Sequence, residues 1–276
     1  MPEQYPFPDA HASTGSTAYY AIRFAPIDQR TDLCLVHAFY RSIREIPITC
    51  SDPGVALEKL NWWRQEIPRS RQFQAQHPIA KALGPLQSRL ALPDDYFEPF
   101  FQTVAREIGG GAIESHVDLE AHCRQSGALL TDLFARIGGS DAKQLHCAAD
   151  LGTHLRMFEI IRDLGTDLRL NRCFVPADLL QQHRLSAVAL LTIEDEQVLS
   201  ELLAPIATRQ QQLYRNIISN LSQHSGLGPV LSMATIAERT LRIIHKDGYR
   251  QLLQQRANLT PLRKLWISWR CQRCID

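Results

Sequence analysis

Apolar residues return every three or four positions along nearly the whole chain, and very few segments alternate with the period of two that marks a strand. From Pro26 to about Ile46 an amphipathic stretch carries Leu33, Val36, His37 and Tyr40 on one face, and Pro47 ends it. Asp52 before Pro53 supplies a helix cap followed by a first-turn proline, opening a helix through Leu57, Leu60 and Trp63 that stops at Pro68. Pro78 to Leu90 predicts a shorter helix, and Pro93 opens another that ends at Gly109-Gly110-Gly111. Asp118 caps a helix to Ile137, closed by Gly138-Gly139. Ser140 begins one that runs through Asp163 to Leu168. A short helix follows from Pro176 to His183, and Thr192 with Asp195 starts a long one to about Leu221. After the turn at Gly226 to Pro229, Val230, Met233, Ala237, Leu241 and Ile244 form another apolar stripe. The pattern predicts an all-α fold: a flexible, polar, Pro-rich lead over residues 1–15 and a single domain over residues 16–276.

Composition narrows the partners. Hydrophobic residues make up 45% of the chain and charged residues 21%, enough apolar material for a sizeable core. Thirty basic residues face 29 acidic ones, for a net charge of +1, which argues against nucleic acid bound through net charge. Only Lys59, Lys81, Lys143, Lys246 and Lys264 are lysines; the other 25 cations are arginines, the better residue for gripping phosphate or carboxylate with two hydrogen bonds. Seven scattered cysteines, an odd number, and the lack of an apolar leader predict a reducing, cytoplasmic setting. No run approaches the ~18 apolar residues of a membrane span, so the protein is expected to be soluble or at most peripheral to a membrane. Between Leu262 and Arg270, tryptophans stand beside Arg263, Lys264 and Arg270; a last helix packed on the core and a membrane-facing helix both fit that mixture. Cys271 and Cys274 form CxxC without a second pair at zinc spacing, and read as incidental thiols on a frayed terminus. There is no paired-histidine zinc motif, no nucleophile triad spacing and no phosphate-binding glycine loop.

The stretch from Leu155 to Pro176 carries the most chemistry. Glu159, Asp163 and Asp167 are four apart, so on one helix their carboxylates stack along a single face. Such a row needs compensation, either by Arg162, Arg169 and Arg172 or by a hard divalent cation such as Mg²⁺. Spacing alone leaves both readings open, and a solvated face of acid–arginine pairs is the commoner use of this pattern.

That stretch resembles the second aspartate-rich motif of the squalene/phytoene synthase family in Glu159-Ile160-Ile161-Arg162-Asp163-Leu164-Gly165-Thr166-Asp167, continuing to Arg172-Cys173-Phe174-Val175-Pro176. Other segments are similar in order and spacing. They are Ser16-Thr17-Ala18-Tyr19-Tyr20 with Arg23-Phe24-Ala25-Pro26, His37-Ala38-Phe39-Tyr40-Arg41, Leu60-Asn61-Trp62-Trp63-Arg64-Gln65-Glu66, Lys246-Asp247-Gly248-Tyr249 and Leu262-Arg263-Lys264-Leu265. The likeness spans about residues 15–268 and implies an isoprenoid-synthase helical bundle around a central, mostly apolar cavity. It further implies head-to-head joining of two prenyl diphosphates such as farnesyl or geranylgeranyl diphosphate. By that likeness Asp163, Asp167 and Glu159 hold Mg²⁺, and Asp163, Asp167 and Tyr20 are catalytic. Ser16, Arg41, Arg44, Phe39, Arg162 and Arg172 contact the substrate, with Tyr20 and Phe39 lining the cavity.

The chain departs from the family where the first aspartate-rich motif should follow Arg41. The residues there are Ser42-Ile43-Arg44-Glu45-Ile46-Pro47-Ile48, so Arg44 and Ile48 occupy the outer aspartate positions and only Glu45 is acidic. Arginine repels Mg²⁺ and isoleucine cannot ligate it. His122 and Ser126 replace residues of another family segment, and Arg156 and Glu159 stand at positions where Gln and Asn are usual. Two consequences are open. Arg44 pairs with Asp163 or Asp167, replacing the metal by a buried ion pair; or Arg44, Arg41 and Arg172 clamp a diphosphate directly. Catalysis is expected to be lost or altered. The alternative is a non-catalytic relative serving as a binding or assembly module, as a respiratory complex I assembly factor of this family does.

Overall fold

A computed structural model of the chain describes residues 6–193, 195–220, 226–249 and 251–273. Every regular element among them is a helix: α1 Thr17–Arg23, α2 Arg30–Arg44, α3 Ile46–Thr49, α4 Pro53–Arg71, α5 Pro78–Arg89, α6 Glu98–Ile108, α7 His116–Ile137, α8 Ala142–Arg162, α9 Leu164–Arg169, α10 Ala177–Gln182, α11 Ala187–Leu190, α12 Glu196–Asn220, α13 Gly228–Lys246 and α14 Pro261–Arg273.

The long helices α7 and α8 form the central hairpin. They cross at Gly127 and Gly152, where a Cβ on either residue would run into the backbone carbonyl of the other. With no side chain at the crossing the backbones approach closely, and this fixes α8 against α7 along the length that carries the polar site. Around the hairpin pack α2, α12 and α13. α13 is buried nearly all round up to Glu238 and beyond it only on the side of Thr240, Leu241 and Ile244; its apolar stripe of Val230, Met233, Ala237, Leu241 and Ile244 lies on the buried side throughout. Two large apolar clusters result. One gathers Phe39, Trp63, Phe97 and Phe101 edge to face, with ring centroids 5.2–6.4 Å apart around Phe39. The other joins α8 to α12 through Met157, Ile161, Leu202 and Ile206.

The caps explain several helix starts. Asp52 accepts the backbone N–H of Val55 at 2.9 Å, as expected from Asp52-Pro53. α7 begins earlier than expected: Ser115 is the cap, and Asp118 sits in the first turn, clamped by Arg106 at 2.8 and 2.7 Å. Asp141, not Ser140, caps α8, in a reciprocal box with Gln144.

Four prolines sit differently from the helix boundaries expected of them. Pro68 lies inside α4, which continues to Arg71 because tertiary contacts hold its last turn. There Gln87 of α5 donates to Ser70 at 2.6 Å, and Gly84 of α5 abuts the Ser70 carbonyl. Pro47 occupies the first turn of α3 instead of ending α2, which closes at Arg44. Pro26 and Pro93 introduce turns, so α2 and α6 begin only at Arg30 and Glu98. The expected run from α8 to Leu168 also breaks, at Asp163.

The expected flexible lead differs as well where it is described. Phe7 stacks on Tyr19 at 5.7 Å and Ala12 is completely buried. At the other end Cys271 lies within α14, its thiol 3.6 Å from Thr235 Oγ1, so the helix is not frayed there; Cys274 lies outside the described residues.

Candidate functional site

A cavity of about 280 Å³ lies among α1, α2, α7, α8, α13 and α14. Its apolar wall includes Leu130, Leu155, Met233 and Ile236. Its charged wall carries Arg41, Arg156, Arg162, Arg256 and Lys264 against a single carboxylate, Glu159. Lys264 reaches the cavity from the buried face of α14 and donates to the Gly15 carbonyl at 3.0 Å. Burial, with Arg162 and Arg256 nearby, pulls its pKa below the usual lysine value. His37 also lines the cavity, and its buried Nδ1 has no hydrogen-bond partner among the described residues. Burial and then the Arg41 charge lower its pKa to about 4, so the ring is neutral at pH 7. Tyr40 completes this side, stacked on Phe100 at 5.2 Å.

Behind the cavity wall sits a second charged assembly centred on Glu107 of α6, which is buried. Its carboxylate takes a short ion pair from Arg44, a bond from Arg172 Nη2 at 2.8 Å and a longer contact from Arg156 Nη2 at 3.5 Å. His122 Nε2 lies 3.2 Å away. Burial alone would raise the Glu107 pKa, but Arg44, Arg156 and His122 reverse this and hold it well below the usual carboxylate range. Arg156 and Arg172 both lie over the Phe174 ring, at 5.0 and 5.2 Å from its centroid. Asp167 Oδ1 is 3.7 Å from Arg172 Nε and Glu159 Oε2 is 3.4 Å from Arg156 Nη1. Three buried guanidiniums are thus balanced by Glu107, Asp167 and Glu159.

Of the two uses open to Arg44, the pairing with Asp163 or Asp167 is not seen: Arg44 pairs with Glu107. The last turn of α2 faces α6, and the Asp163 carboxylate is already taken. Arg162 grips it with two bonds of 2.8 and 2.6 Å, and Arg256 Nε approaches to 2.7 Å. Glu107 escaped the sequence reading, although a signal exists. Phe100, Val104 and Glu107 share one helical face of α6, and an acid on an otherwise apolar stripe must find buried cations.

Of the residues predicted to touch substrate, Ser16, Arg41 and Arg162 line the cavity, as does Glu159. Ser16 also caps α1, accepting the Tyr19 N–H at 3.0 Å. Tyr20 and Phe39 do not line it. Tyr20 is buried with its ring edge-on to Tyr19, and Phe39 is enclosed by its aromatic neighbours. Helical geometry explains the correction: Tyr40, one residue on, turns to the cavity while Phe39 turns away. Arg44 and Arg172 stand with Asp167 behind the wall, in the Glu107 assembly. Glu66, from the Trp-Trp-Arg segment, is scaffold: it accepts the backbone N–H groups of Gln76 and His77 at 2.7 and 2.8 Å and ties down the α4–α5 loop.

The carboxylates expected to hold Mg²⁺ do not fit that ion. Among the described residues no group of three or more His, Cys, Asp or Glu side chains is placed to hold a metal. Both Asp163 oxygens face guanidiniums; Asp167 Oδ1 faces Arg172 Nε at 3.7 Å; and Arg44 stands at one of the two outer positions of the missing motif.

The sequence model of the squalene/phytoene synthase family matches residues 11–263. A presqualene diphosphate synthase from Rhodopseudomonas palustris is 23% identical over 208 residues, 74% of each chain. A phytoene synthase from Thermus thermophilus is 23% identical, covering 72% of this chain and 69% of its own. Among solved structures, a dehydrosqualene synthase in complex with ligand superposes with a TM-score of 0.80 at 17% identity, over 94% of this chain and 91% of that one. A squalene synthase from Alicyclobacillus acidocaldarius gives 0.70 at 22% identity, over 83% and 88%. These likenesses establish the isoprenoid-synthase fold.

Proposed function

The chain belongs to the squalene/phytoene synthase family, and from that footing we propose that it binds one prenyl diphosphate without magnesium and no longer joins two. The observation that carries this reading is the charge of the cavity wall: five Arg and Lys side chains against one carboxylate. A magnesium-bridged site presents acids to the metal and lets the metal hold the phosphates. Here cations already occupy the wall, and the acids of the aspartate-rich motif neutralise arginines instead.

Each residue has a part in such binding. Asp163 holds the Arg162 and Arg256 guanidiniums in place, so less of their freedom is lost when an anion arrives. Lys264, partly desolvated, gains a counter-charge. Neutral His37 can donate one hydrogen bond to a phosphate oxygen or accept one from a protonated phosphate. The apolar wall of Leu130, Leu155 and Met233 receives the first isoprene units. At about 280 Å³ the cavity lies just below the roughly 300–1,000 Å³ of small-ligand pockets, so it suits one prenyl chain rather than two.

Incubation with farnesyl or geranylgeranyl diphosphate and Mg²⁺, followed by solvent extraction, tests the reading. The diphosphates are expected to be recovered intact. A coupled hydrocarbon or cyclopropyl diphosphate that forms only with Mg²⁺ would overturn it.

A further inference from the structure

We propose that the outer face of α14, with the adjoining turns of α13, docks on an anionic phospholipid bilayer. The helix has two unlike sides. Lys264, Ile267 and Ser268 are buried, Ile267 against Ile236 and Leu259, and Lys264 reaches the cavity. On the opposite side Leu262, Leu265, Trp266 and Trp269 are 39–78% exposed. At 100° per residue these four span a single continuous arc, an apolar stripe of a kind that soluble chains seldom leave in water. Ile243 of α13, 43% exposed, extends the stripe to the neighbouring helix.

Cations border the stripe. Arg263 lies along one edge with Arg270, whose guanidinium sits 5.4 Å from the centre of the Trp266 ring. Arg239 and Lys246 of α13 share a groove of about 370 Å³ with Arg263 and Trp266. α14 contains no acidic residue. Glu238 of α13 is buried and pairs with Arg242 at 2.8 Å. The whole chain carries a net charge of only +1, so this is a local concentration of positive charge.

Tryptophan and leucine flanked by arginine suit the boundary between headgroups and acyl chains. Indole rings settle there, and each cation close to an anionic leaflet contributes about 1 kcal/mol, roughly a fivefold change in partitioning. The same rim disfavours a second copy of the chain, because a two-fold contact through this face would set like charges against one another. Docking in this way would bring the helix that carries Lys264 to the bilayer surface, with the cavity on its inner side.

Flotation of the full chain with vesicles tests the proposal. The chain is expected to float with phosphatidylcholine vesicles containing phosphatidylglycerol, to float far less with phosphatidylcholine alone, and to be released by high salt. Trp266→Ala with Trp269→Ala should reduce the bound fraction at least tenfold. Lys246→Gln and Arg263→Gln should each reduce it about fivefold, on the anionic vesicles alone. Lys246 and Arg263 are exposed, so circular dichroism and Tm should not change in those two variants, and circular dichroism checks that the double tryptophan variant stays helical. The proposal is overturned if the chain ignores both vesicles, binds both equally at all salt concentrations, or keeps its binding in the variants. Light scattering that shows a dimer abolished by the tryptophan substitutions, with no flotation, would overturn it in favour of a contact between copies.

Discussion

Glu107 is shared among Arg44, Arg156 and Arg172; neutralising it takes from Arg44 its ion-pair partner and leaves Arg156 and Arg172 with only their longer contacts to Glu159 and Asp167. Breaking a buried ion pair from one side costs about 3–5 kcal/mol, so Glu107→Gln should lower stability by about that much, measured by urea unfolding. A cost below about 1 kcal/mol would mean that water reaches the assembly. Lys264 stands differently: its charged form is disfavoured by burial, and among the described residues it has no carboxylate within ion-pair distance. Lys264→Met should leave Tm unchanged or raise it, yet weaken diphosphate binding by about 10- to 100-fold, the worth of one hydrogen bond to a charged group. Unchanged affinity would place the phosphates elsewhere. At this scale the sequence was a partial guide. Ser16, Arg41 and Arg162 were legible as cavity residues through the family resemblance of the segments that carry them, and Glu159, expected as a metal ligand, lines the cavity beside them. Arg44 was legible as a departure, but not its partner, because Glu107 is 63 residues away and only the tertiary fold joins them.

The central hairpin depends on the contact between Gly127 and Gly152. A methyl group on Gly152 would overlap the Gly127 carbonyl and the Thr131 hydroxyl, forcing α7 and α8 apart. Overpacking of this kind costs about 1–3 kcal/mol, so Gly152→Ala should lower Tm measurably and also weaken ligand binding, since α8 carries Arg156, Glu159 and Arg162. A variant with unchanged Tm would show that the hairpin can relax. Helix identity was readable throughout, because period-3.6 stripes and caps such as Asp52 act locally. Boundaries were less so. Pro68 fits inside α4 because Ser70 is held by α5, and the kink at Asp163 coincides with the grip of Arg162 and Arg256 on that residue's carboxylate; both depend on residues distant in sequence.

Across the whole molecule, no helix among the described residues is long and apolar enough to cross a membrane. Its acid response follows from buried imidazoles. His37 and His154 both have folded-state pKa values near 4, and burial is the first cause in each. His154 is enclosed between the Gln210 and Ala234 carbonyls at 3.1 and 3.2 Å. The unfolded chain takes up these protons near the ordinary histidine pKa, about 6.5, while the folded chain resists until about 4. Stability is therefore fully present above about pH 6.5, declines as pH falls towards 4, and levels off below, as far as these two groups are concerned. Thermal melts at descending pH should show that slope, and His154→Gln should flatten it; a Tm independent of pH over this window would contradict the burial of these rings.

The central claim is that arginine and lysine, not magnesium, hold the anion. Calorimetric titration of the chain with farnesyl diphosphate, once in Mg²⁺ and once in EDTA, tests it most directly. The account predicts saturable binding of one ligand per chain with the same affinity in both buffers. Binding that disappears in EDTA and returns with Mg²⁺ would contradict it.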